Sequence, residues 1–96
     1  MILNKLTKEQ KYTIAKFYKL YIERSNKGNT ESKANYFGDA KNTQEEYFCD
    51  RNYKDFYANC IVLIEQEYLR GDIEEDNIYN ISILTKTFVE IEQSFG

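Results

Sequence analysis

The sequence predicts a mainly α fold with a small β-hairpin (α+β): three to four helices, a C-terminal hairpin and a closing helix. Three observations carry that expectation. Pro is absent and Gly occurs only four times, which removes the strongest helix breakers. Apolar residues between positions 14 and 22 recur at helical spacing, and positions 79 to 84 change to the alternation of a strand.

The first helix should start at Thr7, which with Gln10 forms a capping box: the hydroxyl takes one orphan N–H and the amide side chain returns the bond. Ile14, Phe17, Tyr18, Tyr21 and Ile22 then form one apolar stripe, while Lys8, Lys11, Lys16 and Lys19 project away from it. Asn26-Lys27-Gly28 ends the helix, because Gly adopts the left-handed conformation past a C-terminus at little cost.

Between Asn29 and Asn42 the apolar positions Ala34, Tyr36 and Phe37 are too few to set a period, and a short helix over Glu31 to Tyr36 is expected. Thr43 and Glu46 suggest a second capping box and a helix starting at 43. Residues 43 to 69 form either one long helix or two helices with a turn at Asp50-Arg51-Asn52. The second arrangement is preferred, because Asp and Asn side chains compete with the helical backbone. Tyr53, Phe56, Tyr57, Cys60, Leu63 and Ile64 continue at helical spacing. Leu69 and Ile73 flank Arg70-Gly71-Asp72, and Tyr79, Ile81 and Ile83 alternate with Asn80, Ser82 and Leu84, giving a hairpin tipped by Glu74-Glu75-Asp76-Asn77 with one face on the core. Thr85 or Thr87 caps the closing helix, whose apolar stripe is Phe88, Ile91 and Phe95.

At 96 residues there is room for one domain, 1–96, burying roughly 60 to 68% of the surface its unfolded chain exposes. Nine Tyr and six Phe supply much of the core volume, so phenols should rim it. No apolar run approaches the ~20 residues that span a bilayer, and the N-terminus has no signal-peptide pattern, so a cytoplasmic protein is expected. Cys49 and Cys60 lie about three turns apart on a continuous helix, which favours buried free thiols over a disulfide.

The net charge is −3, but it is unevenly distributed. Residues 1–42 hold nine Lys/Arg and four Asp/Glu, giving +5, whereas residues 43–96 hold four and twelve, giving −8. Such polarity can orient a protein on a charged partner, or it can be two solvated faces. The absence of His removes the commonest general base and metal ligand, and the two Cys have no partner motif, so an enzyme is not expected and no cofactor or metal is implied. Asp72, Glu74 and Asp76 resemble the start of a calcium loop, but Asn77 stands at the turn Gly and Ile83 at the bidentate acid position.

From Thr43 to Phe95 the order of helix, turn, helix, Tyr68-Leu69, hairpin, Leu84-Thr85 and helix resembles a winged helix-turn-helix domain. More loosely, it resembles the small phage-associated YjcQ-type proteins of Firmicutes. The chain departs from the winged-helix pattern at Glu67, where Gly usually precedes the Tyr, and at Thr87, where Gly often opens the final helix. The resemblance implies a positioning helix over Thr43 to Cys49, a recognition helix over Tyr53 to Glu67 and a wing over residues 69–84. It implies a DNA-binding transcription regulator of phage or mobile-element origin, acting as a homodimer because one module with so few cations makes little contact alone.

Phosphate contact would then fall to Lys8, Lys11, Lys16 and Lys19 with Lys54 and Arg70, helped by Lys33 and Lys41; Arg51 would read guanine or hold phosphate, and Asn59 and Gln66 would read adenine. Against this, Asp72, Glu74, Glu75 and Asp76 make the wing acidic, and each close pair with phosphate would cost something like 1 kcal/mol in water. The alternative is a protein-binding module, or an inhibitor of a host nucleic-acid-handling protein, that presents those four acids to a basic surface.

Overall fold

The computed structural model describes residues 5–95. In chain order the elements are α1 (Lys8–Asn26), α2 (Glu31–Ala34), α3 (Ala40–Tyr47), α4 (Tyr53–Glu65), β1 (Leu69–Glu74), β2 (Asn77–Ile83) and α5 (Thr85–Phe95). The α+β class, with five helices and one antiparallel hairpin, is therefore as the sequence predicts.

Thr7 caps α1 with both bonds of the capping box, and α1 ends at Gly28, where φ is 93°. The Gly28 and Asn29 N–H groups reach back to the Ser25 and Arg24 carbonyls at 3.0 and 3.3 Å, closing a Schellman motif. Phe17 is fully buried at the centre of the core, its ring 5.0 Å edge-on from Phe37, 5.3 Å from Phe48 and 6.2 Å from Phe56. Ile22, expected in the buried stripe, is exposed. At that depth along the helix Tyr21 makes the packing contact instead, with Phe88 of α5 at 4.7 Å.

The region from 29 to 52 differs in detail from expectation. α2 stops at Ala34, two residues early, because Asn35 turns its amide to the hairpin. α3 begins at Ala40, capped by Asp39, whose carboxylate accepts from the Asn42 N–H. Thr43 is no cap. It is buried inside the helix, and its hydroxyl donates to the Phe37 carbonyl at 2.7 Å. Residues 43–69 are two helices: Phe48 ends α3 and Asn52 caps α4 through the Asp55 N–H at 2.8 Å. Cys60 is buried, whereas Cys49 in the turn is exposed, contrary to the expectation that both thiols are buried.

α4 stops at Glu65, two residues short of the expected Glu67. Glu67 stands in the left-handed conformation at φ 65°, its N–H bonded to Ile64 O at 3.1 Å and that of Tyr68 to Leu63 O at 2.8 Å. This is the same motif that Gly28 closes on α1, built here with a side chain. Lys86 donates to the Gln66 carbonyl at 2.6 Å and lies 4.7 Å over the Tyr68 ring, placing a cation at the negative end of the α4 dipole.

The strands pair antiparallel, with Leu69 opposite Ile83, Asp72 opposite Tyr79 and Glu74 opposite Asn77. The register shifts between Arg70 and Asp72, so Asn80 and Ile81 together face Gly71, a β-bulge with Asn80 at φ 57°. The extra residue reverses the phase of β2. Ile78, Ile81 and Ile83 point into the core, and Tyr79, expected on the inner face, is 41% exposed. Gly71 is required at the bulge, because a Cβ there would sit 2.5 Å from Ile78 Cγ2.

β2 has a covered outer flank. The Phe37 N–H donates to Ile81 O at 3.0 Å, and the Ile81 N–H donates to Gly38 O at 2.9 Å. The Asn35 side chain exchanges two bonds with the Ile83 backbone at 2.8 and 2.9 Å. α5 closes the core with Ile91, and the buried Thr87 hydroxyl donates to Tyr68 O at 2.7 Å. Neither proposed Thr cap holds: Thr85 is the first helical residue and Thr87 bonds across to the helix exit. The expected stripe position Phe95 lies outside the described side chains. Among the described residues no helix is long and apolar enough to cross a membrane.

Candidate functional site

The hairpin tip is fastened to α4. Tyr53 and Tyr57, one turn apart on α4, aim their hydroxyls at the tip, where Tyr53 donates to the Asp76 carbonyl and Tyr57 to the Glu75 carbonyl at 3.3 Å. Asn77, buried at the base of β2, accepts from its own Ile78 N–H at 2.9 Å and from Lys41 N–H at 3.2 Å, and donates to Asp39 at 3.0 Å. The tip is thus tied at once to the start of α3 and the first half of α4. Asn77, foremost, and Asn42 hold the Asp39 carboxyl below the usual range, so it stays ionised and serves both bonds. Burial, then the neighbouring Tyr57, Cys60 and acids, push the Tyr53 phenol up to about 12, so it remains a donor at neutral pH.

The backbone is fixed in this way, while the side chains of Asp72, Glu74, Glu75 and Asp76 remain exposed. Asp72 accepts from Asn80 at 3.0 Å, and Asn80 in turn accepts from Tyr36 at 3.3 Å, a polar chain across the outer face of the hairpin. None of the four carboxylates lies within ion-pair distance of a cation among the described residues. Two rings turned to solvent stand on this face, Tyr36 at 54% and Tyr79 at 41% exposure, whereas Ile73, 48% exposed, pairs with the inward Ile78 and lies on the opposite face at the strand edge. Tyr bodies within an acidic surround have the composition of a binding surface, with contact area from the rings and orientation from the charges.

The expected cations do not gather at one place. Lys16 and Lys19 share a shallow depression with Tyr12 and Ala15, and the Lys16 ammonium lies 4.9 Å over the Phe48 ring. Lys8 is exposed and Lys11 half-buried on the same helix. Lys54 lines a different depression, with Lys41, Tyr53, Tyr57 and Asp76, and Arg70 is exposed on β1.

Two of the proposed nucleic-acid contacts are turned away from solvent. Arg51 precedes α4 rather than lying on it, and its side chain is 16% exposed. Its guanidinium donates to Thr13 at 3.3 Å, stacks 4.6 Å over Tyr12 and pairs with Asp50 at 3.7 Å. Asn59 is on the buried face of α4 at 8% exposure, so it has no reach to a base edge.

Sequence reasoning missed the Tyr53–Tyr57 clasp and the two asparagine connectors, the half-buried Asn35 and the buried Asn77. Their spacing was legible, since Tyr53 and Tyr57 are four apart on one helix face, but their target lies about twenty residues away. Among the described residues no three Cys, Asp or Glu side chains converge as a metal site. No protein-family model, curated protein or solved structure matches the chain.

Proposed function

We propose that this chain is a non-enzymatic protein-interaction module whose hairpin docks on a basic surface of a partner, including the nucleic-acid-binding surface of a host protein. The observation that carries it is the clasp of Tyr53 and Tyr57 on the tip backbone, which presents Asp72, Glu74, Glu75 and Asp76 with no ion pair to any of them among the described residues. Prior ordering of the tip lowers the entropic cost of docking, and unpaired carboxylates steer a cationic partner into place. The exposed Tyr79, which lines one depression with Glu74 and Glu75, then supplies apolar contact beside the charges.

The test replaces Glu74, Glu75 and Asp76 together by Ser and compares the two proteins as baits in the native host, with binding of any captured partner then measured directly. Partner affinity should fall at least about tenfold, and the loss should resemble that produced by raising salt on the unmodified protein. A partner held equally by both baits refutes the reading.

A second reading, a winged-helix regulator that binds DNA as a homodimer, is favoured by the order α3, turn, α4, hairpin. Its remaining cations are Lys8, Lys11, Lys16 and Lys19 on α1 with Lys54 and Arg70. It predicts a gel shift on DNA from its own promoter region that declines steeply with salt. The same triple substitution should strengthen that shift by removing repulsion.

A further inference from the structure

We infer that the outer edge of β1 is a strand-addition site for an extended, Lys/Arg-bearing segment of a partner protein. This rests on the protein-binding reading above and specifies the geometry of the contact.

The two strands are joined by the two-residue turn Glu75-Asp76, which makes Glu74 and Asn77 the closing hydrogen-bonded pair. Alternation then directs the backbone groups of Ile73, and after Asp72 those of Gly71, away from β2. The phase agrees on the opposite strand: Ile81, across the bulge from Gly71, sends both its N–H and its C=O outward, to Gly38 and Phe37. The two flanks of the sheet are therefore treated differently. That of β2 is occupied by Phe37, Gly38 and the Asn35 amide, whereas no described residue supplies a backbone bond to the outer flank of β1. Edge strands are ordinarily protected by a bulge, Pro, charged side chains or covering chain. Here the bulged residue is on β2, and β1 carries only the charges of Arg70, Asp72 and Glu74, which repel a like-charged strand and admit a cationic one, with Ile73 at 48% exposure next to an open edge.

Charge selects the occupant. An added strand runs alongside Asp72 and Glu74 with Glu75 and Asp76 at its end, so a segment with Lys or Arg at alternate positions meets complementary charge along one face, and its apolar alternates meet Ile73. A second copy of the chain pairing antiparallel with Gly71 opposite Ile73 would instead set Asp72 against Asp72 and Arg70 against Glu74, a mixed pairing, whereas a Lys/Arg-bearing segment meets only opposite charge.

The probe is a short synthetic peptide alternating Lys and Val, titrated into the full chain and followed by fluorescence anisotropy and by amide chemical shifts. Saturable binding with shifts centred on Gly71 and Ile73 is expected. The same peptide N-methylated at alternate backbone nitrogens keeps its charge but loses its donors, and should bind about tenfold or more weakly. Ile73→Pro removes an outward N–H at a position where an edge strand tolerates Pro, so it should abolish peptide binding while leaving the helical circular dichroism and urea midpoint close to those of the parent.

Equal binding of the two peptides overturns strand addition but leaves an acidic docking surface in place. Absence of binding by either at low salt overturns both. Dimerisation of the chain that Ile73→Pro abolishes would assign the edge to a second copy and also overturn the proposal.

Discussion

Glu67→Gly should stabilise the protein. The residue stands at φ 65°, where a Cβ crowds the following carbonyl at a cost of roughly 1–2 kcal/mol. Gly removes that strain but adds roughly 0.5–1 kcal/mol of unfolded-state entropy to be lost on folding. The difference is a net gain centred on ~0.75 kcal/mol within a range of about 0–1.5, and the central value corresponds to a rise of about 3–6 °C in Tm for a domain of this size. Gly28 is the internal precedent, because it occupies the corresponding place on α1 with the same pair of reversed hydrogen bonds. Urea denaturation followed by helical circular dichroism should show a higher midpoint with an unchanged slope.

Glu67→Ala is the decisive control, since it removes the carboxylate from the negative end of the α4 dipole and keeps the Cβ. If Ala stabilises as much as Gly, the gain comes from charge, and the conformational argument is refuted.

Gly71→Ala should act in the opposite direction. The new methyl group would meet Ile78 Cγ2 at 2.5 Å and Ile64 Cδ1 at 3.3 Å within a closed core, costing about 1–3 kcal/mol by urea denaturation. Asn35→Ala should lose about 1–3 kcal/mol by leaving both backbone groups of Ile83 without partners, and hydrogen exchange should show the Ile83 amide losing protection before those of α1. Tyr53 and Tyr68 both have phenols pushed from 10.0 up to about 12, by burial first and, for Tyr68, by Glu90 second. A raised folded-state value means that the neutral phenols contribute stability in full below pH 10, and that this stability is lost as pH rises toward about 12. Alkaline titration should therefore show unfolding in that window together with late ionisation of two phenols. Stability that stays flat across it would contradict the assigned environments.

What the sequence made legible was local. The Thr7–Gln10 capping box, the stripe around Phe17 and the turn ahead of Tyr53 are each decided within a few residues, and the structure keeps all three but for Ile22 at the end of the stripe. What it concealed depends on contacts made across the fold. Thr43 matched a capping box as well as Thr7 did, but the Phe37 carbonyl lies against its hydroxyl, and Asp39 with Asn42 opens the helix instead. The alternation through β2 gave the strand but not its phase. One left-handed residue at Asn80 shifts the inward set from Tyr79 to Ile78, and only the opposing Gly71 hinted at that shift.

The proposed site shows the same division. The acidic tip follows from four carboxylates around a turn, whereas the inward placement of Arg51 and Asn59 requires knowing where α1 and the core lie relative to α4.

Asn35, Phe37 and Gly38 also govern how far any assembly through this sheet can extend. A filament that grows by stacking strands needs a free flank on each side of every subunit, and this chain offers one. Among copies of this chain, growth ends with the first pairing, so a surface open enough to recruit a partner does not propagate into a fibre of the chain itself. Removing the Asn35 amide frees only the Ile83 backbone, and Phe37 and Gly38 keep Ile81 covered.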